Sequence, residues 1–201
     1  MQSLCDTASS TMVYPKSIRS MTMSNPAYYV RHLELCLLVA TADCDSVLEL
    51  GCGFCDRLVV CQARIRHGVD IYEPYLRGAR KKWGKRLNRL YCEDLQSFVL
   101  SCHVFYDGVI LIDTLEHLDR LAGETVLGRI QHIARRRVVV FSPVGDQPQS
   151  RDTYDLGGDY WQTHRSIWIP QDLRQIGFDV AVWEHFHGAN KHAMFGIWER
   201  P

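Results

Sequence analysis

Two periods of nonpolar residues alternate along this chain. Tyr28, Tyr29, His32, Leu33, Cys36, Leu37 and Ala40 fall three and four residues apart, which is one face of a helix. Ser24-Asn25-Pro26 ahead of them supplies small polar caps and a proline whose missing N–H costs nothing in a first turn. The pattern predicts a helix over 26–42. Short apolar runs follow at Ser46–Leu50 (SVLEL), Ile65–Asp70, the weaker Arg89–Cys92, Tyr106–Ile112 (YDGVILI) and 137–141 (RVVVF), and these read as strands. The stretches 56–63, 74–83 and 119–134 read as helices, the second opening at Pro74 and carrying a basic face. Strands separated by helices imply an α/β fold, a mostly parallel sheet with helices on both faces. Residues 142–164 break the rhythm with Pro143, Gly145, Pro148, Gly157 and Gly158. A patternless stretch longer than about 15 residues in a compact domain is usually functional or disordered. A short helix over 169–175 and two strands over 178–186 and 193–198, joined by the turn HGANK, close the chain as an antiparallel pair. Residues 1–25, rich in Ser, Thr and Met, read as a flexible arm, and 26–201 as one domain.

The chain has 201 residues, 46% apolar and 23% charged, which is the composition of one globular domain. Lys and Arg balance Asp and Glu at 23 each, so the charge excess that non-specific nucleic-acid binding needs is missing. No run approaches the roughly 20 apolar residues of a membrane span. Eight cysteines without regular spacing, behind a start that lacks a charged segment and an apolar core, suggest reduced thiols and a cytoplasmic location. The basic run Arg77, Arg80, Lys81, Lys82, Lys85, Arg86, Arg89 and the triplet Arg135-Arg136-Arg137 read as solvated faces.

The first strand ends in Gly51-Cys52-Gly53, the kind of strand–turn junction where an open parallel sheet binds ligands. A dinucleotide fingerprint would place its third glycine at 56, where this chain has Asp56, and an acid repels a pyrophosphate. Glu49 precedes the turn, Asp70 ends the second strand 19 residues after Gly51, Asp94 follows the third strand and Asp113 the fourth. One carboxylate accepts both protons of a ribose diol. Four acids at four strand ends predict a crevice for a cationic, unphosphorylated nucleoside.

The segments VLELGCGFC (47–55), GVDIYEPYLRGA (68–79), YCEDLQSF (91–98) and YDGVILIDTLEHL (106–118) resemble the successive motifs of class I S-adenosylmethionine (SAM)-dependent methyltransferases. The resemblance spans residue 26 to the end. It implies a Rossmann-like seven-stranded, mostly parallel sheet with an antiparallel last strand, and methyl transfer from SAM to an oxygen or nitrogen of a small-molecule acceptor. It also implies that Glu49, Gly51, Cys52 and Gly53 line the methionine end of SAM. Asp70 would take the ribose hydroxyls, Ile71 the adenine face, Asp94 the adenine amino group with Leu95 beside it, and Asp113 the neighbourhood of the sulfonium. VVVFSPVGDQPQ (138–149) and THRSIWIPQDLRQIGFDV (163–180) are similar to a bacterial-type subgroup with a TPNG-like turn and an HxSxW segment. The chain departs at Cys55, where the family has a third glycine, and at Val144, where the subgroup has asparagine.

An oxygen acceptor needs a base for its proton, and His164, His117 and Asp146 are the candidates, the two histidines first. Each histidine has a plain structural reading as well, a loop pin for His164 and a hydrogen bond at a helix start for His117. Asp113-x-x-Glu116-His117 with His164 also offers the carboxylate and imidazole mix of a divalent metal site. That mix resembles metal-dependent methyltransferases of RNA 3′-terminal ribose and some quinone-pathway enzymes. Cys52-x-x-Cys55 with Cys61 and His67 has zinc-like residue types, but two of the thiols sit in a turn and on a predicted helix, so no metal is assigned. A non-catalytic binding protein that retains the methyltransferase fold is the alternative of another class, motivated by Cys55 and Val144.

Overall fold

The computed structural model describes residues 26–201, with side chains from Val30 onward. The arm expected over 1–25, the capping residues Ser24 and Asn25, and the side chains of Tyr28 and Tyr29 lie outside the described residues. Helix α1 (Pro26–Ala40) turns Leu33, Cys36, Leu37 and Ala40 into the core, the face read from their spacing. Seven strands follow: β1 (Ser46–Leu50), β2 (Ile65–Asp70), β3 (Arg89–Cys92), β4 (Tyr106–Ile112), β5 (Ala134–Pro143), β6 (Asp179–Trp183) and β7 (Ala193–Glu199). The remaining helices are α2 (Glu73–Trp83), α3 (Leu95–Ser101), α4 (Arg120–Ile133), α5 (Asp159–Gln162) and α6 (Pro170–Arg174).

The sheet order is β3-β2-β1-β4-β5-β7-β6. The pairs among β1 to β5 are parallel, whereas β7 runs antiparallel to both β5 and β6. Successive strand residues point to opposite faces. Val47, Ile110, Ile112, Val139 and Phe141 therefore join α1 and α2 in one core, while Leu48, Leu50, Val109, Leu111 and Val140 join α3, α4 and α6 in the other. Chain order reverses between β1 and β4, which opens a crevice beyond the carboxyl ends of these two strands.

Three expectations need correction. The helix expected over 56–63 is only a 3-10 turn, Leu58–Val60. The Glu49 carboxylate takes the Leu58 N–H at 3.1 Å, and Leu58, Val59, Cys61 and Ala63 are all buried, so no single helical face exists there. Helix α3 is an additional element beyond the expected ones, capped by Asp94, which accepts the Ser97 N–H at 2.9 Å. Strand β5 starts at Ala134, and Arg137 is buried, not solvated; its guanidinium meets Asp43 at 2.6 Å and the Ala40 carbonyl at 2.6 Å. The α2 basic run is exposed, as read.

Candidate active site

The glycine turn is built by close packing on its two flanks. Gly51 has φ +69°, and a Cβ there would fall 2.3 Å from Cγ2 of Thr114, whose hydroxyl is bonded to the Leu50 and Ile112 carbonyls. Glycine is required at that approach. The N–H groups of Gly51 and Cys52 both donate to the Val69 carbonyl, at 2.9 and 3.0 Å. Gly53, at φ +48°, donates to Asp70 Oδ2 at 2.8 Å, and its open side faces Tyr154. Cys55 adopts φ +59°, the left-handed conformation that a third glycine would hold at no steric cost. The departure at Cys55 thus leaves the turn intact, at about 1–2 kcal/mol of backbone strain. Asp113 is also left-handed, at φ +49°, and its N–H is tied to the Phe141 carbonyl.

These residues surround a cleft of about 1310 Å³, larger than the ~300–1,000 Å³ of a typical one-ligand pocket. Glu49, Gly51, Cys52, Gly53, Asp70, Ile71, Asp94, Leu95 and Asp113 all line it, so the strand-end residues singled out from the sequence meet in one place. Asp70 is buried and ties the Gly53 turn to the start of α2, its Oδ1 accepting the Tyr72 N–H at 2.9 Å. Burial raises the carboxyl of Asp70, against the pull of those backbone N–H groups. Burial likewise raises Glu49 well above the usual carboxylate range. Asp94 divides its duty between the cleft wall and the cap of α3.

The segment after α5 carries His164 to this cleft, where His117 already stands in the turn after β4. The N–H groups of Arg165 and Ser166 both donate to the Glu116 carbonyl, and Ser166 Oγ donates to the Leu115 carbonyl. Trp168 then buries its ring beside Gly123 and donates Nε1–H to Ser166 at 2.7 Å. This docking sets His164 against His117, ring centroids 4.8 Å apart and edge to face at 66°. Nδ1 of His164 lies 2.5 Å from the Gln147 carbonyl and Nδ1 of His117 lies 3.4 Å from that of Thr163. A carbonyl only accepts, so in the neutral rings Nδ1 carries the hydrogen and Nε2 the lone pair. Glu116 joins them, one ligand atom from each residue lying within 4.8 Å of the others. It is the one group of metal-ligand type among the described residues; the cysteines and His67 form none. Buried Glu116 accepts from Ser142 Oγ at 3.0 Å, and burial beside Asp113 raises its carboxyl. Asp146 does not line the cleft.

Burial, and then the neighbouring His164, hold the His117 imidazole at about 4, below its ordinary 6.5. A depressed histidine gives stability that is whole above pH 6.5 and is lost as pH falls through 4. The melting temperature is therefore expected to drop less steeply between pH 6.5 and 4 in His117→Gln than in the native chain. Equal slopes in thermal melts would show that this ring titrates normally.

Several residues that shape or line the cleft were not singled out by the sequence pattern. Asp152 is a buried hub: it accepts from Tyr75 Oη at 2.5 Å and from the N–H groups of Tyr154, Leu156 and Gly158 at 2.7–3.0 Å. Burial pushes its carboxyl up, but the Tyr75 hydroxyl and those three donors hold it at about 2. The hub seats Tyr154 against Phe54 and Tyr75, over the glycine turn. His187 and Lys191, in the β6–β7 turn, complete the far wall. The local turns that hold these groups carry no sign of the cleft they face; a contact distant in sequence, such as Tyr75 Oη on Asp152, brings the long loop to it.

No family model matches the sequence, and no curated protein does. Solved structures match the fold. Magnesium protoporphyrin IX methyltransferase from Synechocystis PCC 6803, with bound SAM, aligns over 89% of this chain and 86% of its own at 15% identity and TM-score 0.57. The N-methyltransferase NodS from Bradyrhizobium japonicum WM9 aligns over 87% and 97% at 12% identity and TM-score 0.62. The methyltransferase domain of bacterial CtHen1 aligns over 88% and 100% at 18% identity and TM-score 0.57. The chain has the class I methyltransferase fold. Its seven strands with β7 reversed are the sheet that the sequence resemblance implied. No helix among the described residues is long and apolar enough to cross a membrane.

Proposed function

We propose that this chain is a SAM-dependent methyltransferase acting on an oxygen or nitrogen of a small-molecule acceptor. The observation that carries this reading is the convergence of Glu49, Asp70, Asp94 and Asp113 on one cleft at the reversal of strand order, beside a glycine turn open to a ligand. Acids suit a cationic cofactor, and the cleft has room for a second molecule. Bound SAM supplies a methyl activated on a cationic sulfur that leaves as a neutral thioether. The chain's own work is to hold the acceptor in line, about 3 Å from that methyl. Asp70 takes the ribose diol on the lone pairs its two backbone bonds leave over. His164 accepts the acceptor hydroxyl proton at Nε2 while the new O–C bond forms, its ring fixed through Nδ1 by Gln147. Calorimetric titration of metal-stripped protein with SAM and with S-adenosylhomocysteine (SAH) is expected to give micromolar binding. Binding of neither to folded protein would leave the non-catalytic reading in its place.

The Glu116–His117–His164 group favours a second reading, metal-assisted transfer in the same cleft. Both imidazoles pair Nδ1 with a backbone carbonyl, the support that metal-bound histidines commonly have. Two imidazoles and a carboxylate with open positions suit Fe²⁺, Mn²⁺ or Zn²⁺, which would polarise the acceptor oxygen. Zero net charge favours a small acceptor over RNA here too. Turnover would then vanish on chelation and return with one of these ions. Activity that survives exhaustive chelation removes this reading.

A further inference from the structure

The charges of the cleft are sorted by wall. Every carboxylate that lines it comes from the chain between Glu34 and Asp119. The wall built by residues 143–191 contributes no carboxylate, only neutral side chains, two histidines, Arg165 and Lys191. Neither Arg165 nor Lys191 has an ion pair among the described residues, whereas two of the three cations on the opposite wall do: Arg57 meets Glu34 at 3.1 Å and Lys82 meets Asp56 at 2.8 Å, and the third, Arg86, donates to the Val59 carbonyl at 2.9 Å. Arg165 is held rigid by the carbonyls of His117 and Tyr160 and by the Tyr160 ring, 4.5 Å below its guanidinium. The β6–β7 turn is fixed as well. The N–H of His187 donates to the Lys191 carbonyl at 3.1 Å, and the N–H of Lys191 to the Gly188 carbonyl at 3.0 Å. His187 and Lys191 therefore stand side by side in this turn, both lining the cleft.

We infer that the wall carrying Arg165, His187 and Lys191 is an acceptor subsite for an anionic group, a carboxylate or a phosphate, on the molecule that receives the methyl. This rests on the methyl-transfer reading for its place at the acceptor end. An acid-lined wall for a cationic cofactor facing a basic wall for an anionic acceptor sorts the two ligands by charge, so neither is stable in the other's place. Trp161 and Gln162 on the same wall give a flat apolar surface and amide hydrogen bonds for the rest of the acceptor.

The test uses benzoate, its neutral isostere benzamide and inorganic phosphate as probes. Each is titrated by calorimetry into metal-stripped protein, with and without saturating SAH. Benzoate or phosphate is expected to bind at millimolar Kd, and benzamide at least about tenfold more weakly than benzoate. Which anion binds tells carboxylate from phosphate. Lys191→Met is expected to weaken the anion about tenfold and Lys191→Glu to abolish it, with SAH affinity unchanged in both. Benzamide binding as well as benzoate with phosphate inert, or anion affinity indifferent to Lys191→Glu, overturns the subsite. Loss of SAH binding in native protein would sink the methyl-transfer reading alone, because the SAH-free titrations still decide whether the wall takes anions.

Discussion

Replacing His164 with alanine is expected to leave SAH affinity unchanged and to lower turnover by about 10²–10⁴-fold, the span of a lost general base. The reason lies in how the ring is held. Its Nδ1 is committed to the Gln147 carbonyl and its own N–H donates to the Gln149 carbonyl, which leaves Nε2 as the reactive atom. Burial lowers the imidazole below its ordinary value, so it is unprotonated at neutral pH. His164→Gln separates the two readings of this residue. A glutamine amide can still donate to Gln147, so it would rescue a loop pin, but it cannot accept a proton. Turnover is measured with labelled SAM and the acceptor found in a screen of hydroxyl and amine compounds. Near-normal turnover in the glutamine variant would make His164 a positioning residue for the loop.

Asp70→Ala is the second large effect. The expected loss is about 1.5–3 kcal/mol of SAH affinity, the worth of hydrogen bonds to a charged acceptor, or roughly 10–150-fold. Two losses add here. The diol loses its acceptor, and the N–H groups of Gly53 and Tyr72 lose theirs, so the turn and the start of α2 come apart from each other. Asp70→Asn keeps the shape but turns an NH₂ toward one of those N–H groups, so it is expected to fall near alanine and well below native. Calorimetry with SAH reads both variants. Native affinity in either would place the ribose elsewhere in the cleft.

Much of this was legible from local pattern. β1, β2, β3 and β4 begin and end where the sequence pattern puts them; β1 and β4 are buried almost throughout and so nearly all apolar, while the partly exposed β2 and β3 give the weaker, mixed signal. The strand-end acids were legible for a related reason: a parallel sheet sends every strand's carboxyl end to the same side. Failures came where local signals were overruled or silent. The stretch 56–63 has helical composition, but a buried Glu49 captures the Leu58 N–H and the chain must cover the sheet under α1. Arg137 sits in a basic triplet, yet Asp43, far away in sequence, draws it inside.

The sequence by itself determined the alternation of strands and helices, the glycine turn and the acids around it, since these follow from backbone periodicity and from residues within a few positions of a strand end. Only the tertiary structure decided which imidazole meets which carboxylate, where Asp152 anchors the long loop, and how the cleft sorts charge between its walls. Those arrangements join residues from Glu116 to Lys191 through contacts made only after the sheet has closed, and distances across a fold leave no trace in spacing along the chain.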